Sequence, residues 1–214
     1  MRAMTREPQT VVGVLLAGGR SSRMGGGDKC LRLLGGRPIL ARVIARAKPQ
    51  VGPLVLNANG DPARFSAFGL PVARDPVEGF AGPLAGVLAG LLWVRAHHPD
   101  VAWVASFPTD VPFFPDDVVE RLIAARNVQQ ADLAYAESGG RTHPVFGLWP
   151  VGLADALHRD LAQGGARKVE AWMAGHRVAT AAYPTKPFDP FLNINRPEDE
   201  AVVERLIAEG VVPA

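Results

Sequence analysis

Short apolar runs alternating with helix-length patterns constrain this chain more than any other feature. Residues 10–17, 53–58 and 101–107 are apolar segments of strand length, and residues 38–48, 84–97 and 115–126 carry helical patterns between and after them. Pro38 opens the first of these helices, and Asp116 and Asp117 fall in the first turn predicted for the third. Strands separated by helices cannot be joined by hairpins, so the order β-α-β-α predicts an α/β fold with a mostly parallel sheet covered on both faces. Further strands are expected at 131–136, 145–149 and 178–183, and helices at 153–162, 168–175 and 197–209. The sheet is therefore expected to be mixed, and its ligands to sit at the carboxyl ends of its parallel strands.

Composition excludes several functions. With 214 residues and 48% hydrophobic content the chain can bury one sizeable core, so a single domain is expected. The longest charge-free apolar stretch, residues 79–94, is short and broken by Gly82, Pro83, Gly86 and Gly90, which argues against a membrane span. Arg2 and Arg6 precede an apolar run as in a signal peptide, but Glu7 and Pro8 interrupt the pattern. The lone cysteine, Cys30, cannot form an internal disulfide, and a cytoplasmic location is expected. A net charge of +2 with no basic stripe argues against a nucleic-acid partner.

Chemistry must then come from local motifs, and the richest follows the first strand: Val14 to Cys30, VLLAGGRSSRMGGGDKC. It is neither of two familiar phosphate loops. Cys30 stands where the last glycine of a dinucleotide fingerprint belongs, and Lys29 lies between Asp28 and Cys30 rather than between Gly and Ser/Thr. What remains is a strand ending in Gly18 and Gly19, then Arg23 and Lys29. Backbone N–H groups freed by small residues approach a phosphate closely, and the two cations offset its charge. A glycine-rich surface turn with solvated bases is the alternative.

The run Leu16-Ala17-Gly18-Gly19, Arg23-Met24-Gly25-Gly26, Asp28-Lys29 resembles the signature of the molybdenum cofactor guanylyltransferases, enzymes that join GMP to molybdopterin. Other motifs follow in the family's order: Asn57-Ala58-Asn59, Asp75, Gly82-Pro83-Leu84-Ala85-Gly86, Thr109-Asp110-Val111-Pro112, His143-Pro144-Val145-Phe146, and Asn193-Ile194-Asn195-Arg196-Pro197-Glu198-Asp199. Cys30 departs from the family, which usually has glycine there. The resemblance implies a Rossmann-like nucleotidyltransferase fold in one domain, with a nucleotide-binding half at about 10–110 and an acceptor-binding half at about 111–214. It also implies Mg2+ as cofactor, GTP and molybdopterin as substrates, and transient contact with Mo-cofactor biosynthesis or acceptor proteins by a monomeric enzyme.

The residues suit such a reaction. A phosphate nucleophile is already ionised near neutral pH, so catalysis rests on positioning and charge neutralisation, and no nucleophile triad is needed. The resemblance assigns Leu16, Ala17, Gly18, Gly19, Arg23, Lys29, Asn57, Asp75 and Asp110 to GTP, with Arg23, Lys29 and Asp110 catalytic and Asp110 the metal ligand. One carboxylate suffices, because magnesium keeps water and phosphate ligands. Asp75 is suited to the adjacent N1–H and N2–H donors of guanine, or to ribose. Gly82, Gly86, Arg167, Lys168, Asn193 and Asn195 are assigned to the pterin acceptor. Asn193 and Asn195, one residue apart in an extended segment, face the same way. His143, at a strand start before Pro144, reads as structural. Three other functions fit parts of the pattern: a cytidylyltransferase of the same pterin or of a sugar or polyol phosphate, a non-catalytic GTP-binding partner in cofactor maturation, and a nucleic-acid module.

Overall fold

A computed structural model describes residues 11–17, 28–77, 82–164 and 168–212. Its first strand, β1 (Val11–Leu16), alternates between two interiors: Val11 and Leu15 enter one hydrophobic cluster, Val12 and Val14 the other. Such a strand has no polar face, and helices must cover it on both sides. A tight hairpin follows, β2 (Leu33–Leu34) and β3 (Arg37–Pro38), turning through Gly35 and Gly36 at φ +54° and +74°. Next come α1 (Ile39–Ala47), β4 (Leu54–Asn57), a 3-10 helix at Pro62–Phe68, β5 (Val72–Ala73), α2 (Pro83–His97) and β6 (Trp103–Pro108). The second half holds α3 (Val118–Val128), β7 (Leu133–Ser138), β8 (Arg141–Pro150), α4 (Ala154–Ala162), α5 (Val169–Met173), β9 (Val178–Tyr183) and α6 (Pro197–Ala208).

Among the described residues seven strands form one sheet in the order β5-β4-β1-β6-β8-β7-β9, with β8 antiparallel to both of its neighbours and the remaining pairs parallel. The α/β class, the mostly parallel mixed sheet and its two-sided cover are as expected. Helices α1 and α3 pack on one face; α2, α4 and α5 pack on the other. Helix α2 is buried almost all round, because it lies between the sheet and α4. Two glycines let it approach: a methyl on Gly90 would stand 2.9 Å from Val14 Cβ, and one on Gly86 would collide with Asn57 Oδ1. A third cluster seats α6 against the β2–β3 hairpin through Leu34, Ile39, Ile194 and Val203. Among the described residues no helix is long and apolar enough to cross a membrane.

Two boundaries differ from the expectation by more than two residues. Helix α3 begins at Val118, so Asp116 and Asp117 precede it rather than occupying its first turn. Its open N–H at Val119 is satisfied from far along the chain, by Gln50 Oε1 at 3.1 Å. The strand expected at 145–149 starts earlier, at Arg141, and forms a hairpin with β7 through Gly139 and Gly140, φ +57° and +77°. Its ladder is interrupted at the proline: Ala136 pairs with His143, yet Tyr135 pairs with Gly147. Pro144 has no N–H to donate, and the residues after it bulge out of the ladder.

Candidate active site

A cleft of about 590 Å³ opens over the carboxyl ends of β1, β4 and β6, which is where an open α/β sheet holds its ligands. Leu16, Ala17, Lys29 and Asn57 line one wall. Gly82, at the entry to α2, Asp110, just past β6, and Asn193 and Asn195, ahead of α6, also line it. Eight of the residues assigned from the sequence are thereby brought together. Gly18, Gly19, Arg23 and Arg167 lie outside the described residues.

The strand tips are pinned to one another. Ala17 N–H donates to Asn57 O at 2.9 Å, and Thr109 Oγ1 donates to Leu16 O at 3.1 Å, so the ends of β4, β1 and β6 share one frame. On that frame Lys29 Nζ reaches Asp110 Oδ2 at 3.1 Å and Asn195 Oδ1 at 2.6 Å. The pair is largely but not wholly sheltered, with 18% and 28% of the two side chains exposed. Asn195 is positioned from both sides. Ile194, fully buried, turns its N–H to Asp110 O at 2.8 Å, and Asp199 accepts the N–H groups of Asn195 and Arg196 at 2.8 Å each while capping α6. Exposed Asn193 and Asn195 flanking buried Ile194 is the alternation expected of an extended segment.

Beside Lys29, Cys30 turns its thiol into the core. Burial, and then the charge of Asp28, pushes the thiol pKa up to about 12. The side chain fills space that a glycine would leave open and stays protonated, so the departure from the family pattern adds no charge. Asp28 pairs with Arg64, whose guanidinium also donates to Asn59 O.

Three assigned residues do not line the cleft. Asp75 stands behind Asn57, its two oxygens accepting from Asn57 Nδ2 at 2.9 Å and Asn59 Nδ2 at 2.7 Å. Each oxygen keeps a second acceptor direction. Gly86 lies against Asn57 and Leu16, and its lack of a side chain serves the close approach of α2 to the sheet. Lys168 precedes α5, a helix packed into the core beneath Trp149. In its place the far wall is made by β8, and six consecutive residues, Arg141 to Phe146, line the cleft. Val145 and Phe146 still pack into opposite clusters, as in a regular strand, so the strip borders the cleft along its length, and the ladder is broken within it, between His143 and Gly147. The residues 138–141, Ser-Gly-Gly-Arg, were the sequence signal for this hairpin.

Residues 13–178 match the family model of the MobA-like NTP transferase domain. A molybdenum cofactor guanylyltransferase from Rhodopseudomonas palustris (strain BisB5) is 58% identical over 90% of this chain and 92% of its own length. The corresponding protein of Bradyrhizobium sp. (strain ORS 278) is 55% identical over 96% and 97%. The chain belongs to the molybdenum cofactor guanylyltransferase family. It is thus a nucleotidyltransferase, as the signature at Leu16 to Lys29 implied. Among solved structures, molybdopterin-guanine dinucleotide biosynthesis protein A from Archaeoglobus fulgidus superposes with a TM-score of 0.71, covering 93% of this chain and 100% of that one at 22% identity. A CMP:2-keto-3-deoxy-manno-octonic acid synthetase complexed with CTP reaches 0.68 over 95% of this chain and 100% of that one at 14% identity, so the fold alone does not select the base.

Proposed function

We propose that this enzyme transfers GMP from GTP to the phosphate of molybdopterin, releasing pyrophosphate and forming the molybdopterin guanine dinucleotide. The observation that carries the reading is the meeting of Lys29, Asp110 and Asn195 at the strand tips, in a chain 58% identical to a named guanylyltransferase. The nucleotide occupies the half contributed by residues 10–110, with the triphosphate at Lys29, Arg23 and the glycines 18 and 19. Asp75, braced by two amides, takes the guanine edge. The acceptor occupies the half contributed by residues 111–214, against Asn193, Asn195 and the β8 wall. The work is done by a monomer in the cytoplasm, a location that fits the lone buried Cys30.

In the transfer, an oxygen of the acceptor phosphate attacks the α-phosphorus in line, a new P–O bond forms, and the bond to the β-phosphate bridging oxygen breaks. Lys29 moves its charge from Asp110 to the triphosphate and offsets what builds on the leaving pyrophosphate. Asn195 holds that ammonium in position. Asp110 fits a magnesium site: it is a partly exposed carboxylate, and hard oxygen donors of phosphate and water complete the shell of such an ion. When bound there, the ion neutralises phosphate charge and orients the oxygens.

The test is a competition. Purified protein, magnesium, molybdopterin and equal GTP and CTP are incubated, and products are identified by mass. The expected product is the guanine dinucleotide, absent with Asp110→Ala. A cytosine dinucleotide would place the enzyme with cytidylyl transfer, and turnover no higher than the Asp110→Ala variant would make it a binding protein.

A further inference from the structure

In the sequence His143 reads as structural, yet it lines the cleft on the β8 wall, and its surroundings fix more than its position. Its Nε2 lies 2.7 Å from Ser138 Oγ, and Ser138 Oγ lies 2.8 Å from Asp189 Oδ1. The directions of these two bonds follow from chemistry. An ionised carboxylate only accepts, so the Ser138 hydroxyl gives its proton to Asp189. The oxygen left behind must accept, and Nε2 of His143 must carry the hydrogen. Nδ1 is then a bare lone pair, and among the described residues it has no hydrogen-bond partner.

The ring is held at Nε2 and on one face. Phe191 stacks on it at 4.6 Å between centroids and 22° between planes. Asp189 Oδ1 also accepts Phe191 N–H at 3.0 Å, so the same carboxylate anchors the relay and the stacking ring. Ser138 is buried. Burial lowers the imidazole's pKa, opposed by Asp189 and Glu137 and assisted by Arg141, which leaves the ring neutral at neutral pH. A neutral ring held this firmly with an unused acceptor resembles a preorganised binding group more than a core residue, which needs no such relay.

We propose that His143 binds the acceptor substrate, its Nδ1 receiving a hydrogen bond from a ring N–H of the pterin. The proposal rests on the reading of the acceptor as a pterin. A bare nitrogen lone pair repels a phosphate oxygen and accepts from N–H, so the bond goes to the heterocycle and not to the phosphate. Because β8 lies across β6 from β1 and β4, the contact belongs to the acceptor and not to the nucleotide.

Two amide substitutions separate this from a structural role. The Gln side chain places its nitrogen where Nε2 was and keeps the bond to Ser138, but it offers nothing at Nδ1. Asn does the reverse. With His143→Gln the KM for molybdopterin rises about 3- to 10-fold, as expected for one lost hydrogen bond, while kcat and the KM for GTP hold. With His143→Asn the pterin KM stays within about twofold of the parent. Ser138→Ala, which frees the tautomer without touching the ring, raises the pterin KM alone and serves should the Gln variant fail to fold. An unchanged pterin KM in the Gln and Ala variants, a rise in the GTP KM instead, or an Asn variant worse than the Gln variant would overturn the assignment. Unmodified protein that forms no dinucleotide from GTP and molybdopterin removes the functional reading and this one with it, whereas an active enzyme indifferent to His143→Gln removes this one alone.

Discussion

The two walls of the cleft are built on different principles. The wall we propose for the nucleotide is a set of parallel strand tips, β1 and β4, each giving one or two residues and each tied to its neighbour through the backbone, as Ala17 is to Asn57. The wall we propose for the acceptor is one antiparallel strand, bulged at Pro144, that gives six consecutive residues, Arg141 to Phe146. Tips present isolated points, suited to the separate oxygens of a triphosphate. A bulged strand presents a continuous strip, suited to a flat heterocycle. The comparison teaches that position along the sheet decides the kind of contact a site makes, and that the antiparallel strand is what separates the acceptor half from the other.

The sharpest way to probe the comparison is at the seam between the walls. Asp110→Asn keeps the backbone contact to Ile194 and removes the charge; kcat should fall by about 10²- to 10³-fold with little change in melting temperature, measured by pyrophosphate release. Breaking the nucleotide wall alone is the task of Gly86→Ala, whose methyl meets Asn57 Oδ1 and stands 2.8 Å from Leu16 Cδ2. It should cost about 1–3 kcal/mol in urea unfolding and raise the GTP KM, leaving the pterin KM in place. The converse is Ser106→Ala. Ser106 Oγ donates to Val145 O at 2.6 Å and accepts Trp149 Nε1–H at 2.8 Å, pinning the bulge from β6. Its removal should cost about 1–2 kcal/mol and raise the pterin KM with GTP binding unmoved. A change in both KM values for either variant would show that the walls are one unit. The smallest effect is a null: Cys30, though it lines the cleft, should resist iodoacetamide at pH 8 by intact mass, because a thiol held near 12 stays protonated there.

The nucleotide wall was also the more legible one in the sequence. Its residues sit in short motifs directly after apolar runs, so Leu16, Ala17, Asn57 and Asp110 could be placed at strand ends from chain order alone, and β9 was expected at the residues it occupies. The acceptor wall was not legible in the same way. A proline inside a strand pattern reads as a strand start, which hid residues 141–144 and turned His143 into a structural residue. Strands of two residues, such as β2, β3 and β5, carry no period to detect. The start of α3 was misplaced because its N–H partner, Gln50, is remote in the chain while Asp116 and Asp117 are near. Gly86 was assigned to a ligand because a small residue in a motif suggests close approach; the approach is real, but it is that of a helix to a strand.

Lys29, Asp110 and Asn195 meet across sequence separations of 81 and 166 residues. A site assembled from such distant points exists only when the whole chain has closed, since each of these contacts waits on long-range strand pairing. Catalytic competence should therefore be the last property acquired during folding. A partly folded chain, even one with β1, β4 and β6 already paired, would lack the Asn195 arm, so on unfolding activity should be lost no later than the sheet itself.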